Sequence, residues 1–307
     1  MLGPMNPSAT SAVPRLTYGI TPPKRSTEEP RRREIAAAQS SRIAALPVDA
    51  LIVYDLQDES SRTDAQRPFP FMQAVDPLRY AYDYLGDLAL PRIVYRAVSG
   101  QSAESLEAWL KELHRRGGRT VLVGAPSRSQ LPALTLAEAY RIRQELVPAL
   151  PLGGVLIAER HEPNGGEEAR VFAKVDKGCS FFVTQAVYSV TATKNVLSDL
   201  YYHAQAAGQT VPPLLLTLSP CGSERTLRFT EWLGVSVPRW LRNELLHAGD
   251  ILERSVKLSL ETFQELHGFA VDKGLTLGCN VESVSLSRAE IDASVELVHQ
   301  VARIQGR

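Results

Sequence analysis

Short runs of apolar, largely β-branched residues alternate along this chain with longer amphipathic stretches. Eight such runs stand out: Leu16 to Ile20, Ala50 to Tyr54, Arg92 to Val98, Thr120 to Gly124, Gly154 to Ala158, Ser180 to Thr184, Leu214 to Leu218 and Leu275 to Val281. A continuously apolar run reads as a strand covered on both faces, and its alternation with helical patterns reads as β-α units around a parallel sheet. Eight units predict an α/β fold of the (β/α)8 TIM-barrel type.

The helical stretches carry their own punctuation. Ser26 with Glu29 three residues later has the capping-box spacing and predicts a helix starting near Thr27. Leu106, Trp109, Leu110 and Leu113 fall on one face of a helix whose other face carries Glu107, Lys111, Glu112 and Arg115, and Gly117-Gly118 closes it. Between the seventh and eighth runs lie Trp232, Trp240 and two or three helical patterns (Thr226 to Leu233, Arg239 to Ala248, Ile251 to Lys273). One crossover needs less, so extra helices are expected between strands 7 and 8.

Length fits this reading, since a barrel of this class takes roughly 250 residues and the chain has 307. The expected division is a disordered leader over residues 1–14, rich in Pro, Ser, Thr and Ala, followed by one barrel domain over 15–307. Acidic and basic residues balance to a formal net charge of zero. The molecule as a whole therefore has no field to draw it to nucleic acid or an anionic membrane, and a charged ligand must be met locally. Cys179, Cys221 and Cys279 are odd in number and lack C-x-x-C spacing, which argues against a disulfide framework and for the cytoplasm. No apolar run approaches the roughly 20 residues of a membrane span. The pattern sets no oligomeric state; a homo-oligomer is compatible with it.

In a barrel of this kind the residues at the C-terminal ends of the strands face the site. Here they are Thr21, Asp55, Asp58, Glu59, Arg96, Ser127, Arg128, Glu159, Arg160, His161, Gln185, Ser219, Asn280 and Glu282. Asp58, Glu59, Ser127 and Ser219 also read as solvated loop residues, whereas Asp55, Glu159 and Gln185 each end an apolar run directly. Glu159, Arg160 and His161 offer a carboxylate and an imidazole for proton transfer, or an ionic brace of the rim. Gln185 presents a donor and an acceptor on one planar group, suited to the polar edge of a pterin. Metal-binding spacings such as H-x-x-x-H and H-E-x-x-H are missing, as are G-x-G-x-x-G and a P-loop, so no metal, Rossmann or phosphate-cradle site is expected. Arg67-Pro-Phe-Pro-Phe71 is a proline-stiffened aromatic loop that either covers the pocket or tucks onto its own helix.

Lys174-Val-Asp-Lys-Gly-Cys-Ser-Phe-Phe-Val-Thr-Gln185 resembles, in spacing and strand placement, the Lys-Val-x-Ala-Gly-Ala-x-Phe-x-x-Thr-Gln stretch of the methylenetetrahydrofolate reductase family. Tyr18-Gly-Ile-Thr-Pro-Pro23, His161-Glu-Pro163 and Ser285-Leu-Ser-Arg-Ala-Glu290 are similar to three further family segments. The resemblance implies a barrel that reduces methylenetetrahydrofolate in one-carbon metabolism, with a reduced folate as its small-molecule partner, FAD as cofactor and NADH or NADPH as hydride donor. It also implies that Gln185 holds the folate and Arg288 its polar end, with Lys174, Arg96 and His161 on the cofactor side.

Departures from the family pattern bear on mechanism. Gly19 stands where the family places its first-strand glutamate, Val123-Gly-Ala125 replaces Arg-Gly-Asp, and Arg96-Ala-Val98 replaces His-Leu-Thr. Glu159, Glu282 and Asp55 are the candidates to supply the missing acid, since a carboxyl at an apolar rim is desolvated and holds its proton more tightly. Hydride transfer straight from a nicotinamide, a flavin-independent one-carbon transfer and a non-catalytic folate-binding or partner-binding barrel are the other readings.

Overall fold

The apolar runs close on themselves. A computed structural model describes residues 13–60, 63–125, 132–161 and 165–307. Eight parallel strands, β1 (Leu16–Ile20), β2 (Ala50–Val53), β3 (Arg92–Ala97), β4 (Arg119–Val123), β5 (Leu152–Leu156), β6 (Cys179–Ala186), β7 (Leu214–Leu218) and β8 (Leu277–Glu282), pair in chain order, and β8 returns to β1. Their alternation sorts side chains to two layers. Ile52, Ile93, Tyr95, Val121, Phe181, Val183 and Leu215 form the cluster inside the barrel. Leu51, Val53, Val94, Phe182 and Leu216 point the other way and pack under the helices.

The helices are α1 (Glu29–Ala44), α2 (Pro77–Arg79, continued by a π-helical turn Tyr80–Tyr84), α3 (Ala103–Arg115), α4 (Leu136–Leu146), α5 (Glu167–Val175), α6 (Val190–Ala207), α7 (Glu224–Trp232), α8 (Arg239–Leu246), α9 (Ile251–Asp272) and α10 (Arg288–Ile304). The expected stripe of α3 is buried, and Ser102 caps the helix by accepting from the Ser105 amide. The extra helices between strands 7 and 8 are α7, α8 and α9; α7 and α8 contribute Leu227, Leu241 and Leu245 to a small core of their own. None of the helices among the described residues is long and apolar enough to cross a membrane.

The capping box expected at Ser26 does not form. The helix starts at Glu29, Glu28 is its cap residue without a side-chain hydrogen bond, and Pro30 sits in the first turn. Proline fixes the first-turn dihedral and removes one amide that would need a cap. Thr27 instead donates its amide to the Lys24 carbonyl, and Lys24 bridges Ala74, so the chain ahead of α1 belongs to a loop pair at the barrel mouth. Of the expected leader, residues 1–12 lie outside the described residues, as do Ser127 and Arg128.

Candidate functional site

The register of β1 against β8 sets Gly19 beside Glu282. A Cβ on Gly19 would lie 2.8 Å from Tyr54 Cε2, 3.1 Å from Glu282 Cβ and 3.3 Å from Glu282 Oε2. The space a side chain on the first strand would need is therefore taken by the glutamate of the eighth strand and the tyrosine ring that follows β2. Glycine is required there because only it lets the two approach.

A hydrogen-bonded chain leads to that carboxyl. Thr17 Oγ1 donates to Asn280 Oδ1 (3.0 Å), and Asn280 Nδ2 donates to Tyr54 Oη (2.9 Å) and, more weakly, to Thr217 Oγ1 (3.3 Å). Tyr54 and Asn280 present their polar groups toward Glu282 and favour its charged form. Tyr95 meets the Tyr54 ring edge-on with 4.7 Å between centroids and closes the floor. Burial pushes the Glu282 carboxyl up from its ordinary value, and the bonds from Tyr54 and Asn280 only partly offset this. Tyr54 is pushed well above its own ordinary value, first by burial and then by the Glu282 charge. The result is an acid that keeps its proton to higher pH, set in an aromatic, hydrogen-bonded floor. That arrangement can donate a proton to a bound ligand.

Asp55, one residue beyond Tyr54, turns outward. It accepts from the Ala97 amide (2.9 Å) and stands 3.8 Å from Arg96 Nη1. Burial raises it, while the Ala97 amide and Arg96 pull it down. Arg96 is held by Asp76 (2.8 Å) and Gln101 (2.9 Å) and lies over the Trp109 ring. Both line a cleft of about 690 Å³ between the loops that follow β1 and β2. The Arg67 to Phe71 loop does not tuck onto its own helix. It docks on α7, with Trp232 Nε1 donating to Ala65 O (2.9 Å), Arg225 Nη2 to Pro68 O (2.7 Å) and Phe69 edge-on to Phe229. It so crosses the rim from β2 toward the β7 side.

The other expected residues are spread around the mouth or away from it. Gln185, next to last in β6, donates to the Leu233 carbonyl (3.1 Å), which anchors the extra helices to the rim. Glu159 is half-buried on a 3-10 turn, Ala158–Arg160, after β5, across the barrel from β1. His161 is buried, with Nδ1 3.2 Å from Glu168 and Nε2 3.1 Å from Asp199. These three side chains bring ligand-type atoms within 4.8 Å of one another, a meeting that the scattered histidines of the sequence did not foretell. The imidazole lies at ion-pair distance from a carboxylate on each side and braces α5 against α6. Lys174 lies between helix and sheet, donating to the Val155 carbonyl (2.6 Å) above the Phe182 ring. Arg288 is 94% exposed and faces Asp292; the buried member of its motif is Glu290, which accepts from Thr226. Tyr54 and Tyr95 were not among the residues singled out. The signal was available, because Tyr54 closes the second apolar run.

These placements do not fit a flavin held in the reductase family's manner. Lys174 is occupied beneath α5, Arg96 is enclosed by Asp76 and Gln101, and Ala125 offers only a methyl where the family has a carboxylate.

Strand number and closure define a (β/α)8 barrel, with polar and acidic residues at its C-terminal mouth. Comparison with solved structures narrows the class. A Clostridium thermocellum protein that binds two copies of 5-methyl-5,6,7,8-tetrahydrofolic acid is 41% identical, with 94% of this chain and 95% of that one covered and a TM-score of 0.82. The chain belongs to the same family as that protein. A GH113 β-1,4-mannanase is similar in fold alone, at 12% identity over 95% of this chain and 98% of its own, with a TM-score of 0.52. No protein-family model and no curated protein matches the chain.

Proposed function

We propose that this chain binds a reduced folate at the C-terminal mouth of its barrel and carries out methylenetetrahydrofolate reductase-type chemistry with NADH or NADPH as direct hydride donor. Folate binding is supported by the Clostridium thermocellum relative, which binds 5-methyltetrahydrofolic acid. The chemistry is carried by one observation: the Glu282 carboxyl fills the space beside Gly19, 3.3 Å from where a first-strand side chain would begin.

In this reading a hydride passes from the nicotinamide to the methylene carbon of the folate while the bond from that carbon to one ring nitrogen breaks. The nitrogen keeps the electron pair and takes the proton of Glu282. One hydride and one proton give the methyl product, and Glu282 regains its proton from solvent when the product leaves. Tyr54 and Asn280, neutral donors beside the carboxyl, stabilise the anion left behind. Gln185 offers its amide oxygen to the donor edge of the pterin.

The test is a titration of flavin-free protein with 5-methyltetrahydrofolate, followed by nicotinamide oxidation with methylenetetrahydrofolate as acceptor. Binding with turnover is expected. Gln185→Ala should weaken folate binding by about tenfold or more, the worth of one buried hydrogen bond. Unchanged affinity in that variant removes Gln185 from the site, and binding without turnover leaves a folate-binding barrel.

A further inference from the structure

The cleft between the loops after β1 and β2 carries more positive charge than its own acids use. Arg96 is spent on Asp76 and Gln101. Asp58 accepts from the amide and hydroxyl of Ser60, and the Asp55 carboxyl faces the Ala97 amide and Arg96. Arg32, whose side chain is 18% exposed, reaches Glu29 only at 3.6 Å, gives Nη2 to the Arg25 carbonyl, and leaves a buried Nε without a hydrogen-bond partner. Arg25 and Arg79 also line the cleft, and among the described residues neither guanidinium has a carboxylate partner. Glu29, the one acid of α1 that approaches, is shared among Arg32, Arg33 and the Tyr84 hydroxyl. Four guanidinium groups, Arg25, Arg32, Arg79 and Arg96, thus line the cleft against three carboxylates, Asp55, Asp58 and Asp76, and Arg25 and Arg79 are left without an ion pair among the described residues.

We infer that this cleft holds the glutamyl end of the folate, with Arg25, Arg32 and Arg79 taking its two carboxylates; the inference rests on the folate reading above. Position supports it. Asp55 lines the cleft and directly follows Tyr54, whose hydroxyl accepts from Asn280, so the cleft lies beside the strand end that carries the floor of the mouth. A ligand whose ring lies over Glu282 has this cleft within reach of its tail. Chemistry supports it as well, because a guanidinium presents paired donors that match a carboxylate in a fork geometry. Gln57 and Gln73 on the same walls suit the amide that joins the tail to the ring system. This site is separate from Arg288, whose guanidinium faces Asp292.

The experiment compares 5-methyltetrahydrofolate with 5-methyltetrahydropteroate, which has the same ring and no glutamate, by calorimetric titration of the wild type and of Arg25→Ala/Arg79→Ala. Both replaced residues are exposed, so folding is not at stake. The wild type is expected to prefer the glutamate-bearing ligand by at least tenfold. The double variant should lose that preference and bind both ligands as the wild type binds the pteroate. Equal affinities in the wild type, or a preference kept in the variant, overturn the tail assignment while leaving the folate reading intact. A wild type that binds neither ligand overturns both.

Discussion

Glu282→Gln is expected to move activity and stability in opposite directions. Glutamine keeps the shape and an acceptor for Tyr54 and Asn280 but has no proton to give, and loss of a general acid costs about 10²–10⁴-fold in rate. Nicotinamide oxidation should fall by that factor while folate binding stays within a few-fold. Stability follows from the raised proton affinity of Glu282 in the folded chain. Unfolded, the carboxyl ionises near 4.5; folded, it holds its proton to higher pH. The folded state binds more protons between those two values, so stability is full below pH 4.5 and is lost as pH rises through the folded value. Each tenfold rise in proton affinity costs about 1.4 kcal/mol once the group is charged. Glutamine never charges, so the variant should unfold at a higher temperature than the wild type at pH 8, and the gap should close toward pH 4. Thermal unfolding followed by circular dichroism at several pH values reads this directly. Full turnover in the variant excludes Glu282 as the acid. A wild type as stable as the variant at pH 8 refutes the desolvation on which its proton affinity rests.

Two further expectations follow from the geometry. Gly19→Ala places a methyl 2.8 Å from Tyr54 Cε2 and 3.1 Å from Glu282 Cβ, so it should destabilise by about 1–3 kcal/mol through overpacking and lower turnover by displacing both groups. Combining it with Glu282→Ala should be non-additive by more than about 0.5 kcal/mol, and strict additivity in denaturant unfolding would refute the contact. Asp49→Asn tests the closure at the other end of the barrel, where Asp49 accepts from both Nη atoms of Arg307 and from the Arg15 and Leu16 amides. Burial raises its carboxyl, but those bonds outweigh it and hold it below its ordinary 3.8. The stabilisation is therefore present above that value and lost as pH falls through the folded one. The variant should be about 1–3 kcal/mol less stable at pH 7 and should converge with the wild type in acid; a gap that persists there rules out the ionised pair as its cause.

The barrel was legible because both layers of a (β/α)8 fold write themselves along the chain. A strand buried on two faces is apolar at consecutive positions, and the α3 stripe repeats at helical spacing because only one face of that helix meets the sheet. Caps were less legible. Ser26 and Glu29 have the right spacing, yet Pro30 and the bridge from Lys24 to Ala74 decide where α1 starts, and the second of these is a contact across 50 residues of sequence. His161 meets Asp199 for the same reason, since Asp199 lies on α6, beyond α5 and β6.

The site shows the limit most clearly. Reading along β1, Gly19 is the loss of an acid, and nothing near it in sequence replaces it. Closure of the barrel makes β8 the neighbour of β1, and parallel register then sets Glu282 beside Gly19. Both side chains of such a pair project to the same face, so the interior of a closed barrel offers a group on one strand nearly the same volume as a group on the next. A carboxyl can thus leave one strand and enter from its neighbour with little change in where its oxygens lie, provided the vacated position is small enough to let it through. Gly19 meets that condition, since a single methyl there would already touch the carboxyl oxygen. The glycine that reads as a missing acid along the sequence is, across the barrel seam, the residue that makes room for one.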